Sequence, residues 1–136
     1  MSSDPFDLAR FVRAQEGVHE VALAELRRGR KTSHWMWFVF PQRDGLGRSA
    51  MSERYAIRSD DEARAYLADP VLGPRLLEVA DAAATAPARS VDALMGGVDA
   101  LKLRSSMTLF AAVAADPGPF RAVLDRWWPA AEHDTR

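Results

Sequence analysis

Apolar residues recur along this chain at spacings of three and four, between short polar breaks, and that period predicts helices. Asp4-Pro5 has the form of an N-cap with proline at the first helical position, and Leu8, Phe11 and Val12 follow on one face. Gln15 falls seven residues after Leu8, so the same face carries an amide inward. Gly17 permits a bend, Val18, Ala22 and Leu26 form a second stripe, and Gly29 ends it. A short helical turn is expected from about Ser49 to Arg54. Ser59-Asp60-Asp61-Glu62 matches a capping box and predicts a helix through about Ala68. Asp69-Pro70 predicts another, to about Thr85, with Leu72, Leu76, Leu77 and Val79 inward. Ser90 caps a short helix that stops at Gly96-Gly97, and Asp99 is expected to cap the longest apolar helix, through about Ala115. Asp116-Pro117 restarts the chain, with Phe120, Val123, Leu124 and Trp127 on the last apolar face.

One stretch breaks the period. Ser33 to Phe40 is almost continuously apolar, a pattern that buried strands and buried helices share, and Pro41 stops it either way. Gln42 to Ser49, with Gly45 and Gly47, reads as a loop. The expectation is an all-α fold: one domain over residues 1–136, of about seven or eight short helices, with its core over about 6–128 and a polar tail over 129–136.

Composition supports the helical reading and narrows the chemistry. Of 136 residues, 24 are alanine, a strong helix former. With no cysteine there is neither a disulfide framework nor a cysteine-bearing zinc site, and three histidines without metal-ligand spacing leave no metal or other cofactor expected. No apolar run approaches the roughly 20 residues that span a bilayer. The first residues lack the basic-then-apolar layout of a signal peptide, so a cytoplasmic location is expected. A net charge of −1 argues against binding a nucleic-acid polymer. Sixteen arginines and two lysines make up the 18 basic residues. Genomic base composition accounts for abundant arginine without physical cause. Lys31 and Lys102, where lysine persists, suit a compact ammonium that approaches closely or loses its proton.

Both lysines lie in polar segments. The first is Lys31-Thr32-Ser33-His34-Trp35, where a cation, hydroxyls, an imidazole and an indole crowd together at the entry to a buried segment that continues through Met36 and Trp37. Such a set stacks a ring and neutralises an anion. His34 alone is more often a hydrogen-bonded core histidine, and Trp35 and Trp37 are core residues by default. The second runs from Gln42 through Gly45 and Gly47 to Ser49, where glycine-freed amides beside Arg43 form a candidate anion nest, although most such loops only turn the chain. In the third, a helix over Asp99 to Phe110 puts Asp99, Lys102 and Ser106 on one face, which turns apolar at Leu109 and Val113. Ser105, Ser106 and Thr108 are unusual in an apolar helix, and Lys102 beside Ser105 or Ser106 has the composition of a Ser-Lys nucleophile pair, a common spacing.

These segments belong to a longer pattern: Phe11-x-x-Ala14-Gln15, Ala22-Leu23-x-Glu25-Leu26, Gly29-Arg30-Lys31-x-Ser33-His34-Trp35-Met36-Trp37-Phe38-x-Phe40-Pro41-Gln42, and Gly45-Leu46-Gly47-x-Ser49. Tyr55-Ala56-Ile57, Glu62-Ala63-x-x-Tyr66-Leu67, Pro70-Val71-Leu72-Gly73-x-Arg75-Leu76 and Asp99-x-x-Lys102-Leu103-x-Ser105-Ser106-x-Thr108-Leu109-Phe110 continue it. Over about residues 6–128 the chain resembles bacterial domain-of-unknown-function family 1810, whose members often carry the label calpastatin. Calpastatins are disordered inhibitors, and this chain has the composition of a packed core. The resemblance implies a small, mainly helical domain without an established activity, and favours helix over 33–40. The chain departs from the family at His19, Arg43, Asp69, Val98 and Ala131. Arg43 bears on the packing of the glycine loop, and Ala131 on the tail.

The expected function is binding of an anionic, ring-containing small molecule, with a nucleotide as the type. Lys31 and Lys102 supply charge, and Trp35 or Trp37 a stacking face. Ser33, Gln42, Gly45, Gly47, Ser49, Tyr55, Asp99 and Ser105 complete the candidate binding set, and Lys102, Ser106 and His34 are the candidates for catalysis. Two other readings stay open: a protein-interaction module without a small-molecule ligand, and a satisfied structural network.

Overall fold

A computed structural model describes residues 3–129, and among them the chain forms nine α-helices. They are α1 (Ala9–Gln15), α2 (His19–Arg28), α3 (Met36–Val39), α4 (Ala50–Arg54), α5 (Asp60–Ala68), α6 (Leu72–Ala84), α7 (Val91–Met95), α8 (Gly97–Val113) and α9 (Gly118–Trp127). The fold is all-α, as expected. Of the polar tail, all but Pro129 lies outside the described residues.

Local signals set most helix boundaries. Ser49, Ser59 and Ser90 each accept a backbone N–H three residues on, from Ser52, Glu62 and Ala93, which satisfies a donor left free in the first turn. Gly29, at φ 90°, ends α2, and a side chain there would meet the carbonyl of Pro87. The Asp-Pro pairs act one step earlier than expected. Asp4 accepts from the amides of Leu8 and Ala9, and Asp69 from those of Val71 and Leu72. Each aspartate thus closes a turn ahead of its helix. Asp116 likewise accepts from Gly118.

Helix α6 is the axis of the packing, touching α2, α5 and α9, while α8 packs on α3, α5, α7 and α9. Between them lies one continuous core containing Phe11, Leu26, Trp35, Tyr66, Leu76, Leu103, Phe110 and Phe120. Phe11 meets Tyr66 edge to face at 5.1 Å, and Tyr66 leads through Phe110 to Phe120. Leu77, expected inward, is exposed. Leu76 takes the core position, and its neighbour, about 100° round the helix, falls outside.

The ambiguous run resolves into a single turn. Only Met36–Val39 is helical, four of the residues from 33 to 40. Phe40 leaves the helix at φ −124°, ψ 73°, since the ring of Pro41 bars α geometry from the residue before it. The following loop is pinned by an isolated parallel bridge between Arg43 and Ile57. Asp99 caps nothing: Gly96 precedes α8, and Asp99 sits in its first turn with its carboxylate free for other partners.

Candidate functional site

The chain immediately after α2 doubles back over a buried carboxylate. Glu25 lies on the inner face of α2, between Ala22 and Leu26, and is 3% exposed. Its Oε1 accepts from the Thr32 amide (2.8 Å), the Ser33 amide (3.0 Å) and Trp35 Nε1 (3.0 Å), and Oε2 accepts from Ser33 Oγ. Burial pushes this carboxyl up. The hydrogen bonds from the Ser33 hydroxyl, the Thr32 and Ser33 amides and the Trp35 indole outweigh it, and the pKa settles at about 2.

That turn delivers Lys31 to α8. Lys31 Nζ lies 2.8 Å from Asp99 Oδ2, donates to the Ser33 carbonyl at 2.6 Å, and sits 5.0 Å from the Trp35 ring centre. Its backbone amide donates to the Leu94 carbonyl at the end of α7. Lys102 approaches the same carboxylate from one turn along α8, at 3.8 Å from Oδ1, with its ammonium 5.4 Å from the Trp37 ring centre. Two ammonium groups, each over an indole, therefore share one carboxylate. The Lys31 side chain is 7% exposed, whereas those of Asp99 and Lys102 are 22% and 23% exposed. Lys31 is enclosed, and the Asp99–Lys102 edge is partly open.

Lys31, Ser33, Trp35, Trp37, Asp99 and Lys102 are thus brought together, six of the residues singled out by their sequence context. The others lie apart. His34 points to solvent without a hydrogen bond among the described residues, so it is not the core histidine that its setting suggested. Gln42, Gly45 and Gly47 line a separate cleft of about 310 Å³ with Arg43, Ser52 and Arg58, and Ser49 caps α4 beside it. Tyr55 is buried against Phe11 and Phe38. Ser105 faces a shallow groove with Arg43 and Leu46. Ser106 is fully buried, and its Oγ has no hydrogen-bond partner, Lys102 included. Among the described residues no three His, Asp or Glu side chains cluster as a metal site, and no helix is long and apolar enough to cross a membrane.

A family model covers residues 5–136. The chain belongs to DUF1810, a family of proteins of unknown function. The fold is also that of a conserved hypothetical protein of known structure, Rv1873 from Mycobacterium tuberculosis, solved by crystallography at 1.38 Å. The two chains are 47% identical over 95% of each, with a TM-score of 0.89. A search of curated proteins gave no match. In this DUF1810 chain two charged groups carry structural weight that their sequence context understated. Glu25 is one, a carboxylate on an apolar helical stripe, and that misplacement is its signal. Arg10 is the other, on the buried side of α1.

Proposed function

We propose that this domain binds an anionic, ring-containing small molecule at the outer edge of the Lys31–Asp99–Lys102 bridge. One observation carries the reading: a single carboxylate faces two ammonium groups. One positive charge is left uncompensated at a spot where Lys102 stays partly open and Trp37 half-buried. Asp99 is committed to Lys31 at 2.8 Å and only loosely to Lys102 at 3.8 Å. An anion on Lys102 therefore competes with a weak contact, and Trp37 offers a neighbouring aromatic surface. The proposal is limited to binding. Ser106 Oγ has no hydrogen-bond partner, and His34 stands apart, so Lys102, Ser106 and His34 do not form a nucleophile–base pair among the described residues.

The test is thermal unfolding in the presence of nucleotides, sugar phosphates and carboxylate metabolites. A ligand at about 100 times its dissociation constant adds about 2.7 kcal/mol. The expected result is a shift for the native chain that Lys102→Ala abolishes and Lys102→Arg weakens. Identical responses from native chain and Lys102→Ala, or no response to any compound, refute the proposal. A second reading, a protein-interaction surface, is favoured by Val98 and Leu101, which lie on the same helix one turn apart and are largely exposed. Its mark is a partner lost on Leu101→Asp and kept on Lys102→Ala.

A further inference from the structure

A cleft of about 530 Å³ opens between the turn at Pro5–Asp7, the end of α4 and the start of α5. It uses none of the residues of the lysine bridge. Four arginines line it, Arg10, Arg13, Arg54 and Arg58, against two carboxylates, Asp7 and Glu62. The chain as a whole carries a net charge of −1, so this is a local concentration of positive charge against the balance of the molecule.

The four arginines divide into a frame and a lining. Arg10 is buried, and each of its five N–H groups is spoken for. Nε donates to the Arg54 carbonyl, Nη1 to the carbonyls of Phe6 and Asp7, and Nη2 to the Ala56 carbonyl and to Glu62 Oε2 at 2.8 Å. Glu62 completes the frame by accepting the Arg58 amide on Oε1, while its own amide donates to Ser59 Oγ. The backbone is thus tied at residues 54, 56 and 58 to one buried ion pair. Asp7 shows how firmly the frame is imposed. It holds φ 53°, a left-handed conformation unfavourable to a side chain, with its carbonyl turned onto Arg10.

Arg13, Arg54 and Arg58 are the lining. All three are exposed, and among the described residues none forms an ion pair. Arg58 makes only a 3.5 Å contact to the Glu53 carbonyl, and Arg54 rests 5.5 Å from the Tyr55 ring centre. Three guanidinium groups on this frame outnumber the one carboxylate of the cleft not already paired, that of Asp7, and suit a multiply charged oxyanion, which each can grip through two parallel N–H bonds. A second cleft, of about 480 Å³, adjoins the first across Pro5, Phe6 and Arg13, and Leu8, Val12 and Ala65 give it an apolar wall. An anionic head in the first cleft leaves space for an organic body in the second.

We propose that the Arg13–Arg54–Arg58 cleft is a binding site for the phosphate group of a soluble phosphorylated small molecule. The probe is inorganic pyrophosphate, titrated calorimetrically at low ionic strength, with citrate as a carboxylate of comparable charge. Saturable one-to-one binding of pyrophosphate, clearly tighter than that of citrate, is expected. Arg54→Gln and Arg58→Gln should each weaken it about tenfold, and Lys102→Ala should leave it unchanged. The substituted side chains are exposed, and thermal unfolding verifies that the variants fold. Citrate binding as tight as pyrophosphate overturns the assignment to phosphate. Affinity unaffected by both arginine variants, or association with anionic vesicles or oligonucleotides without saturable pyrophosphate binding, overturns the site. A response lost on Lys102→Ala and kept in both arginine variants would instead place the anion at the lysine bridge.

Discussion

Replacing Glu25 by glutamine tests whether one buried carboxylate holds the turn that presents Lys31 to α8. The side chain keeps its shape and loses its charge, while four donors from Thr32, Ser33 and Trp35 still converge on it. In the folded chain the Glu25 pKa is about 2, against an ordinary 4.5. A group held below its unfolded value stabilises the fold above that value and loses the contribution as pH falls through the folded one. The gap corresponds to about 3 kcal/mol, complete at neutral pH and withdrawn between about pH 4.5 and 2. In Glu25→Gln an amide N–H₂ confronts backbone donors, so most of that contribution should be absent at every pH. Urea unfolding followed by tryptophan fluorescence at pH 7, 5 and 3 reads the difference. The variant should be less stable by about 2–3 kcal/mol at pH 7, with the two proteins converging as the pH drops toward 3. Equal stabilities at pH 7, or a gap that stays constant down to pH 3, would refute the claim that charge at Glu25 organises the turn.

Arg10→Met should cost about 3–5 kcal/mol, because it strands Glu62 as a buried charge and leaves four carbonyls without their donor. A loss under about 1 kcal/mol in chemical denaturation would show that the Arg10 frame is not what ties α1 to α5. Ser106→Ala should leave stability unchanged or raise it by about 0.5–1 kcal/mol, because it removes a buried hydroxyl with no partner. A marked loss on thermal unfolding would expose a hydrogen bond that the geometry lacks. Gly29→Ala should destabilise by about 2 kcal/mol or more, since φ is 90° and a Cβ would stand 2.6 Å from the Pro87 carbonyl oxygen; unchanged urea unfolding would contradict this. Tyr66→Phe should cost about 1 kcal/mol by removing the hydroxyl that accepts from Gln15 Nε2, and full stability would show that Phe38 alone satisfies the amide.

What local chemistry specifies was legible along the chain. Serine caps, glycine stops and three- and four-residue spacing act within one or two turns, so they place α2, α4, α5 and α7 nearly where the structure has them. Gln15 was readable as an inward amide, and it donates to the Phe38 carbonyl and to Tyr66 Oη. The Asp-Pro pairs misled by a few residues because an aspartate that accepts two amides serves a turn as well as a cap. The run at 33–40 is helical only over Met36–Val39, because its ends are set from outside, by Glu25 beneath it and Pro41 beyond it.

Helical character and family membership are written in the chain itself, since propensity, capping and motif are properties of neighbours in the chain. Only tertiary structure decided which polar positions act together. Lys31 and Lys102 meet over Asp99 because the turn after α2 folds onto α8, and His34, Ser106 and Gln42 were separated by the same packing. The arginine cleft depends on that level entirely. Arg10 and Glu62 are 52 residues apart, and no local pattern relates them. Their pairing is fixed by the burial of two opposite charges that can satisfy each other only when α1 and α5 are already packed.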